Sequence, residues 1–177
     1  MFHLALFSGT EGVLSPRGGT AFVLFGSAEL RTPTLAQRLV YARERAKRPL
    51  SRMDRLLGRD QWLLITLFGG TEMIRPTLVE ELAALRGLMS SGGVSRTELQ
   101  GLADASISPP DLVGGLSTLT LFGACVVARP SPKKEIAAID RAAKAGEVDP
   151  RARPALESLI GQADPSILRG LSRLALA

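Results

Sequence analysis

The sequence predicts an α/β repeat, in which stacked strand–glycine corner–strand units form a β-solenoid-like, largely parallel sheet with interleaved helical hairpins. Three observations support this fold class. An apolar run ending in Phe-Gly occurs three times in the 177 residues. Each Phe is followed eight residues later by Pro and then by Thr or Ser. A second pattern typical of a helix start then follows each proline. Periodic matches of this kind indicate a repeat architecture.

The strand part of each unit is predicted from its residue types. The run "LLITLF" (63–68) is short, apolar and partly β-branched, as expected for a strand buried on both faces. The glycines that follow allow the backbone a sharp corner that other residues resist. A second short strand then ends at proline, which disfavours helix in the residue before it. The predicted structural corners comprise Phe25, Gly26, Phe68, Gly69, Gly70, Phe122 and Gly123.

The helical part of each unit begins after the proline. Thr77 and Glu80 form the pattern of a capping box, and Ser131 precedes a proline at the first helical position. Leucines from Leu78 to Leu85 recur at the spacing of one helix face. Turns at "KRPLS", "SSGGVS" and "AGEVD" each lead to the start of a second helix. These features predict a helical hairpin that crosses from one strand to the next.

The chain as a whole is interpreted as a single repeat domain, 1–177. Its units are approximately 1–19, 20–60, 61–114 and 115–169, and the first of them lacks the helical hairpin. The final segment "GLSRLALA" resembles "GLSTLTLF" (115–122), so 170–177 is predicted to be a closing strand. Atypical terminal units are usual in repeat arrays, because they cap the stack.

From its residue content and motif spacing, we predict that the chain has no catalytic, cofactor-binding or metal-binding residue. His3 is the only histidine and Cys125 the only cysteine, whereas zinc sites and nucleophile–histidine pairs need several such groups. The glycine-rich pieces lack the spacing of phosphate-binding loops. One column of the repeat contains three acids and a valine. We interpret it as a solvated face in preference to a cation site. Its members are Glu11, Glu29, Glu72 and Val126.

The charge is unevenly distributed along the chain. Residues 31–59 contain nine basic and two acidic residues, a net charge of +7, whereas the whole chain carries +5. Two interpretations stay open: a solvated helix face, or a docking patch for an acidic partner, nucleic acid or anionic lipid. Tyr41 is the only aromatic residue there, which disfavours single-stranded nucleic acid. The candidate partner-binding residues are Arg38, Arg43, Arg45, Lys47, Arg48, Arg52 and Arg55.

The recurring "LFGxxE…P" pattern resembles the C-terminal domain of LiaF-like proteins, the bacterial cell-wall-active antibiotic response family. The resemblance covers the strand parts of each unit, about a third of the chain. It implies a short β-solenoid without catalytic residues and a regulatory role through protein contacts.

These observations together predict a non-enzymatic bacterial scaffold or regulatory protein that acts through protein–protein contacts, including self-association into a homo-oligomer. The alternative is binding of nucleic acid or an anionic membrane surface through the basic hairpin 31–59. A single cysteine is compatible with a reducing compartment, and no apolar run reaches the length needed to cross a bilayer. A cytoplasmic location is therefore expected.

Overall fold

The computed structural model describes the backbone of residues 2–6, 11–13, 20–25, 29–46, 63–68, 71–104, 106, 118–122 and 125–177. Side chains are described for residues 31–40, 43, 74–104, 106 and 129–177. The described chain forms two compact units. The first comprises residues 1–33, 37–75 and 111–129, and the second comprises residues 34–36, 76–110 and 130–177.

The described residues of the first unit include eight short strands. They are β1 (Phe2–Leu6), β2 (Glu11–Val13), β3 (Thr20–Phe25), β4 (Glu29–Arg31), β5 (Leu63–Phe68), β6 (Thr71–Ile74), β7 (Thr118–Phe122) and β8 (Cys125–Ala128). The longer strands pair in parallel in the order β1-β3-β5-β7, and the shorter ones in the order β2-β4-β6-β8. The first unit also holds most of helix α1 (Leu35–Ala46), whose first turn belongs to the second unit.

The second unit is helical. Its helices are α2 (Leu78–Ser90), α3 (Arg96–Ala103), α4 (Pro132–Lys144), α5 (Arg153–Glu157) and α6 (Asp164–Leu176), with a 3₁₀ turn at Pro150–Ala152. Helix α6 packs on α2 and α3, while α4 packs on α2 and α5. The buried apolar side chains described in this unit come from these helices, from the turns between them and from the first turn of α1.

The predicted fold class, an α/β repeat with a β-solenoid-like sheet and interleaved hairpins, is wrong. Where side chains are described, the chain is mostly helical and no sheet contributes to its core. Each buried apolar residue in this part of the chain lies in a helix or in a turn between helices. The hairpins are amphipathic enough to bury their apolar faces against one another. The second and third hairpins form a compact helical unit of their own, and the buried apolar side chains of that unit come from its helices and their turns and not from a sheet.

The predicted closing strand 170–177 is also wrong, because this segment is the second half of α6. The resemblance to "GLSTLTLF" was misleading, since threonines of that strand are replaced by Arg173 and Ala175, which favour helix. Leu168, Leu171 and Ala175 recur at helical spacing and are all buried. Gly170 allows a close approach, since a Cβ at this position would lie 2.5 Å from Cδ2 of Leu159.

The helix starts predicted from the sequence are confirmed where the structure describes them. Thr77 accepts a hydrogen bond from the Glu80 N–H (3.3 Å), and the Glu80 carboxylate accepts one from the Thr77 N–H (2.8 Å). Ser95, Ser131 and Asp149 each cap the following helix or 3₁₀ turn through their side-chain oxygens. The predicted start at Ser51 lies outside the described residues.

The second and third copies of the hairpin end their first helix in the same way. Gly92 and Gly146 occupy equivalent positions just after α2 and α4, and both have φ of +73°. The Gly93 N–H bonds the Leu88 carbonyl and the Glu147 N–H bonds the Ala142 carbonyl, both at 2.9 Å. This is the bonding of a Schellman motif, which favours glycine at the left-handed residue.

Candidate functional site

The basic residues predicted to bind a partner are only partly placed by the structure. Arg38, Arg43 and Arg45 lie in α1, whereas Lys47, Arg48, Arg52 and Arg55 lie outside the described residues. Arg38 is half-buried, and its Nε donates to the Pro33 carbonyl oxygen at 3.4 Å. Arg43 is also half-buried, and desolvation lowers the pKa of its guanidinium. Neither of these two arginines is a fully exposed cation.

The corner phenylalanines are aligned across the longer strands. Phe25 is paired in register with Phe68, and Phe68 with Phe122. The corner glycines, Gly26, Gly69, Gly70 and Gly123, lie outside the described residues. The repeat alignment drawn from the sequence therefore coincides with the backbone register at these phenylalanines.

The acidic column of the repeat is aligned in the same manner across the shorter strands. Glu11 is paired with Glu29, Glu29 with Glu72, and Glu72 with Val126. The register therefore brings the backbones of the three glutamates side by side.

Two buried glutamates connect successive helices of the repeat, and sequence reasoning missed both. Glu81 of α2 is 5% exposed, and its Oε2 accepts a hydrogen bond from the Leu35 N–H at 2.6 Å. Glu135 of α4 is 6% exposed, and its Oε2 accepts one from the Leu78 N–H at 3.0 Å. Both donors are backbone N–H groups in the first turn of a helix, where they have no acceptor within that helix. Each carboxylate therefore caps the N-terminus of the preceding helix in the series.

The environment of Glu135 acts on its ionisation in opposite directions. Burial raises the pKa of the Glu135 carboxyl, and the nearby charge of Glu80 raises it further. The hydrogen bond from Leu78 lowers it, but less than burial raises it, so the pKa lies above the usual value. Anions near a helix N-terminus are favoured by the helix dipole, which offsets part of the cost of burying this charge.

The sequence explains why the series of carboxylate caps begins at Glu81 and ends at Glu135. Glu81 and Glu135 each lie four residues after an N-cap residue, and the equivalent position of α1 is Arg38. The unit before α1 lacks the predicted hairpin, so no preceding helix is expected there to need a carboxylate cap. At the other end α4 begins with Pro132, which has no N–H to donate. The pattern could have been found from the sequence by asking which acids recur at one position of the repeat.

Arginines cap helix C-termini in the same unit. Arg86 donates from Nη2 to the Leu174 carbonyl and from Nη1 to the Glu147 carbonyl, both at 3.3 Å. Arg96 reaches the Leu176 carbonyl at 3.4 Å, and Nε of Arg173 reaches the Ala103 carbonyl at 3.1 Å. Cations near the last carbonyls of a helix interact favourably with its dipole. These side chains connect α2, α3 and α6 through their ends as well as through their apolar faces.

One face of α4 is exposed and strongly basic, and it was not singled out from the sequence. We call it the α4 basic face and define it as Lys133, Lys134, Arg141 and Lys144, all exposed. The Arg141 Nε donates to the Ala137 carbonyl at 3.3 Å, within the same helix. Asp140 lies at the margin of this face and is paired with Arg153, with 2.8 Å between Oδ1 and Nη1. No carboxylate among the described residues forms an ion pair with the four basic side chains.

A cleft lies beside the α4 basic face, between α4 and the start of α2. Its volume is about 290 Å³. The apolar side chains of Val79, Ala138, Ala142 and Ala145 line it, together with polar groups at its rim. The polar lining residues are Thr77, Glu80, Arg141 and Glu147. Glu80 is held by Thr77 in the capping box, so Arg141 and Glu147 are the charged groups that remain available at the rim.

Comparison with known proteins gives no relative: no protein-family model, no curated protein and no solved structure matches this chain. The LiaF-like resemblance therefore stays a prediction from the sequence motif. In the described part of the chain, no group of three His, Cys, Asp or Glu side chains is placed to hold a metal ion. None of the described helices is both long and apolar enough to span a bilayer.

Proposed function

We propose that the chain works through contacts with other proteins, as a non-enzymatic scaffold or regulatory protein in the cytoplasm. The observation that carries this proposal is the α4 basic face, four exposed cations beside a partly apolar cleft on one helical unit. Exposed positive charge next to a partly apolar cleft is typical of surfaces that orient and select a protein partner by electrostatic complementarity.

Capping contacts between the helices of the helical unit hold such a surface in place. Carboxylates cap the N-termini of α1 and α2, and arginines cap the C-termini of α3 and α6. Side chains that present a binding surface lose less entropy on association when their helices are already held in place. Self-association is one form of this function, with a second copy of the chain as the partner.

A second candidate function is binding of nucleic acid or an anionic membrane surface through the basic hairpin 31–59. It is favoured by the net charge of +7 in that segment. The half-burial of Arg38 and Arg43 removes two of its seven candidate contacts from the fully exposed set. Retention on duplex DNA and on anionic vesicles, measured as a function of salt, tests this candidate directly.

Site-specific photo-crosslinking tests the first candidate. A photoreactive phenylalanine analogue replaces Ala137, which is exposed at the centre of the α4 basic face, in cells that naturally make the protein. We expect a discrete adduct with another protein, or with a second copy of the chain. The matched control carries the same analogue at Ala155, which is exposed on α5 away from the cleft lining, and should give no such adduct. Adducts with nucleic acid or lipid alone, or none at all, would overturn the proposal.

A further inference from the structure

The four cations of the α4 basic face are concentrated on one side of the helix. At about 100° per residue, Lys133, Lys134, Arg141 and Lys144 fall within an arc of roughly 100°. From the first to the last of them the helix rises about 16 Å, at about 1.5 Å per residue. A partner that satisfies these cations must therefore carry several anionic groups along about three helical turns.

The cleft beside this face adds a second requirement on the partner. Its volume of about 290 Å³ is at the lower limit of small-molecule pockets, which begin at about 300 Å³. Its floor is made by Val79 and the small side chains of Ala138 and Ala142. A cleft of this size with an apolar floor and a polar rim accepts one or two side chains of a partner, and such anchors contribute much of the binding energy.

The rim of the cleft distinguishes between classes of anionic partner. Glu147 and Glu80 line it together with Arg141, so a continuous row of phosphates would meet like charges there. No aromatic residue occurs in 76–110 or 130–177, so this unit has no ring on which bases could stack. A polypeptide can place carboxylates opposite the cations and a neutral residue opposite Glu147, because its charges are unevenly spaced.

We infer that the α4 basic face and its cleft form a docking site for an acidic segment of a partner protein. In this arrangement a carboxylate of the segment pairs with Arg141, whose planar guanidinium suits bidentate contacts. An aliphatic or aromatic side chain of the segment occupies the cleft, and further carboxylates lie over Lys134 and Lys144. The inference rests on the proposed function and specifies the partner's chemistry.

Selection from a random peptide library tests this inference with the full chain as the target. A library of displayed random dodecapeptides is selected on the wild-type protein, and the affinities of the enriched peptides are measured. We expect enriched peptides to combine several acidic residues with one large apolar residue. Arg141→Glu reverses the positive charge at the cleft, and Ala145→Leu fills the cleft from an exposed position of its lining. Each should weaken binding by about tenfold or more, as loss of a central anchor does.

Two matched variants and one comparison make the result decisive. Arg151→Glu and Ala155→Leu change exposed residues outside the cleft lining in the same chemical way and should leave the affinity within about twofold. Enriched peptides that bind Arg141→Glu and Ala145→Leu as tightly as wild type would overturn the inference, as would the absence of any enriched peptide. If the Ala137 analogue still gives a protein adduct in that case, the proposed function stands and only the docking mode is wrong.

Discussion

The Glu135 side chain affects stability in two opposite ways, through the hydrogen bond that it accepts and through the charge that it buries. Its carboxylate satisfies the Leu78 N–H, but it is charged in a place where little water reaches it. Replacing a buried hydrogen-bond acceptor by an apolar group leaves the donor unsatisfied and costs about 1–3 kcal/mol. The hydrogen bond and the charge can be separated experimentally, because glutamine retains the acceptor and removes the charge.

We therefore expect Glu135→Ala to lower the free energy of unfolding by about 1–3 kcal/mol, and Glu135→Gln to lower it much less at neutral pH. The pKa of Glu135 is raised in the folded state, so the folded protein binds the proton more tightly than the unfolded chain does. Wild type should therefore lose stability relative to Glu135→Gln as pH rises from about 4.5, the ordinary value, to the raised pKa. Urea denaturation of the three proteins across this range measures the difference. A difference that is constant with pH would contradict the assignment.

The helices show which local rules were sufficient for prediction. Thr77, Ser95 and Ser131 were recognisable as caps because a cap depends on a few adjacent residues. The strand predicted at 170–177 was wrong because similarity to another segment outweighed the helical spacing of Leu168, Leu171 and Ala175. The buried glutamates were missed for a different reason. Glu81 looks like an ordinary surface acid in its own helix, and only its contact with the distant Leu35 explains its burial.

Contact of α6 with the turn after α5 depends on a glycine within a helix. An added Cβ at Gly170 would lie 2.5 and 2.8 Å from the two Cδ atoms of buried Leu159. In α2, by contrast, a Cβ at Gly87 would meet no atom within 4 Å. Alanine is favoured over glycine inside a helix by about 1 kcal/mol, whereas forced overpacking costs about 1–3 kcal/mol.

Gly87→Ala should therefore raise the free energy of unfolding by up to about 1 kcal/mol, and Gly170→Ala should lower it by about 1 kcal/mol after the two effects are combined. Thermal and denaturant unfolding of the two variants beside wild type provide the measurement, and each variant serves as the other's control. Equal stabilisation by both substitutions would show that Leu159 moves aside at no cost and that α6 does not need the glycine.

At the scale of the whole molecule, the described chain divides into two units that are discontinuous in sequence. The helical unit draws on residues 34–36, 76–110 and 130–177, so the chain passes repeatedly between it and the strand unit. The sequence repeat showed which residues would be equivalent, but not that the equivalent helices would form a separate core. That outcome depends on contacts between distant helices, such as α2 with α6, which local patterns do not encode.

The core of the helical unit can be weakened from its centre to learn whether the two units open independently. Leu171 of α6 is 1% exposed, and truncation of a buried leucine to alanine costs about 2–5 kcal/mol. We expect Leu171→Ala to speed hydrogen exchange of the amides in α2, α3 and α6, which share this core. The amides of β3, β5 and β7 bond to one another along parallel ladders and should exchange as in wild type.

Ile136→Ala is the matched control, because Ile136 is 38% exposed in the same unit and should change stability by about 0.5 kcal/mol or less. Faster exchange spread evenly over strands and helices in Leu171→Ala would mean that the two units unfold as one cooperative structure.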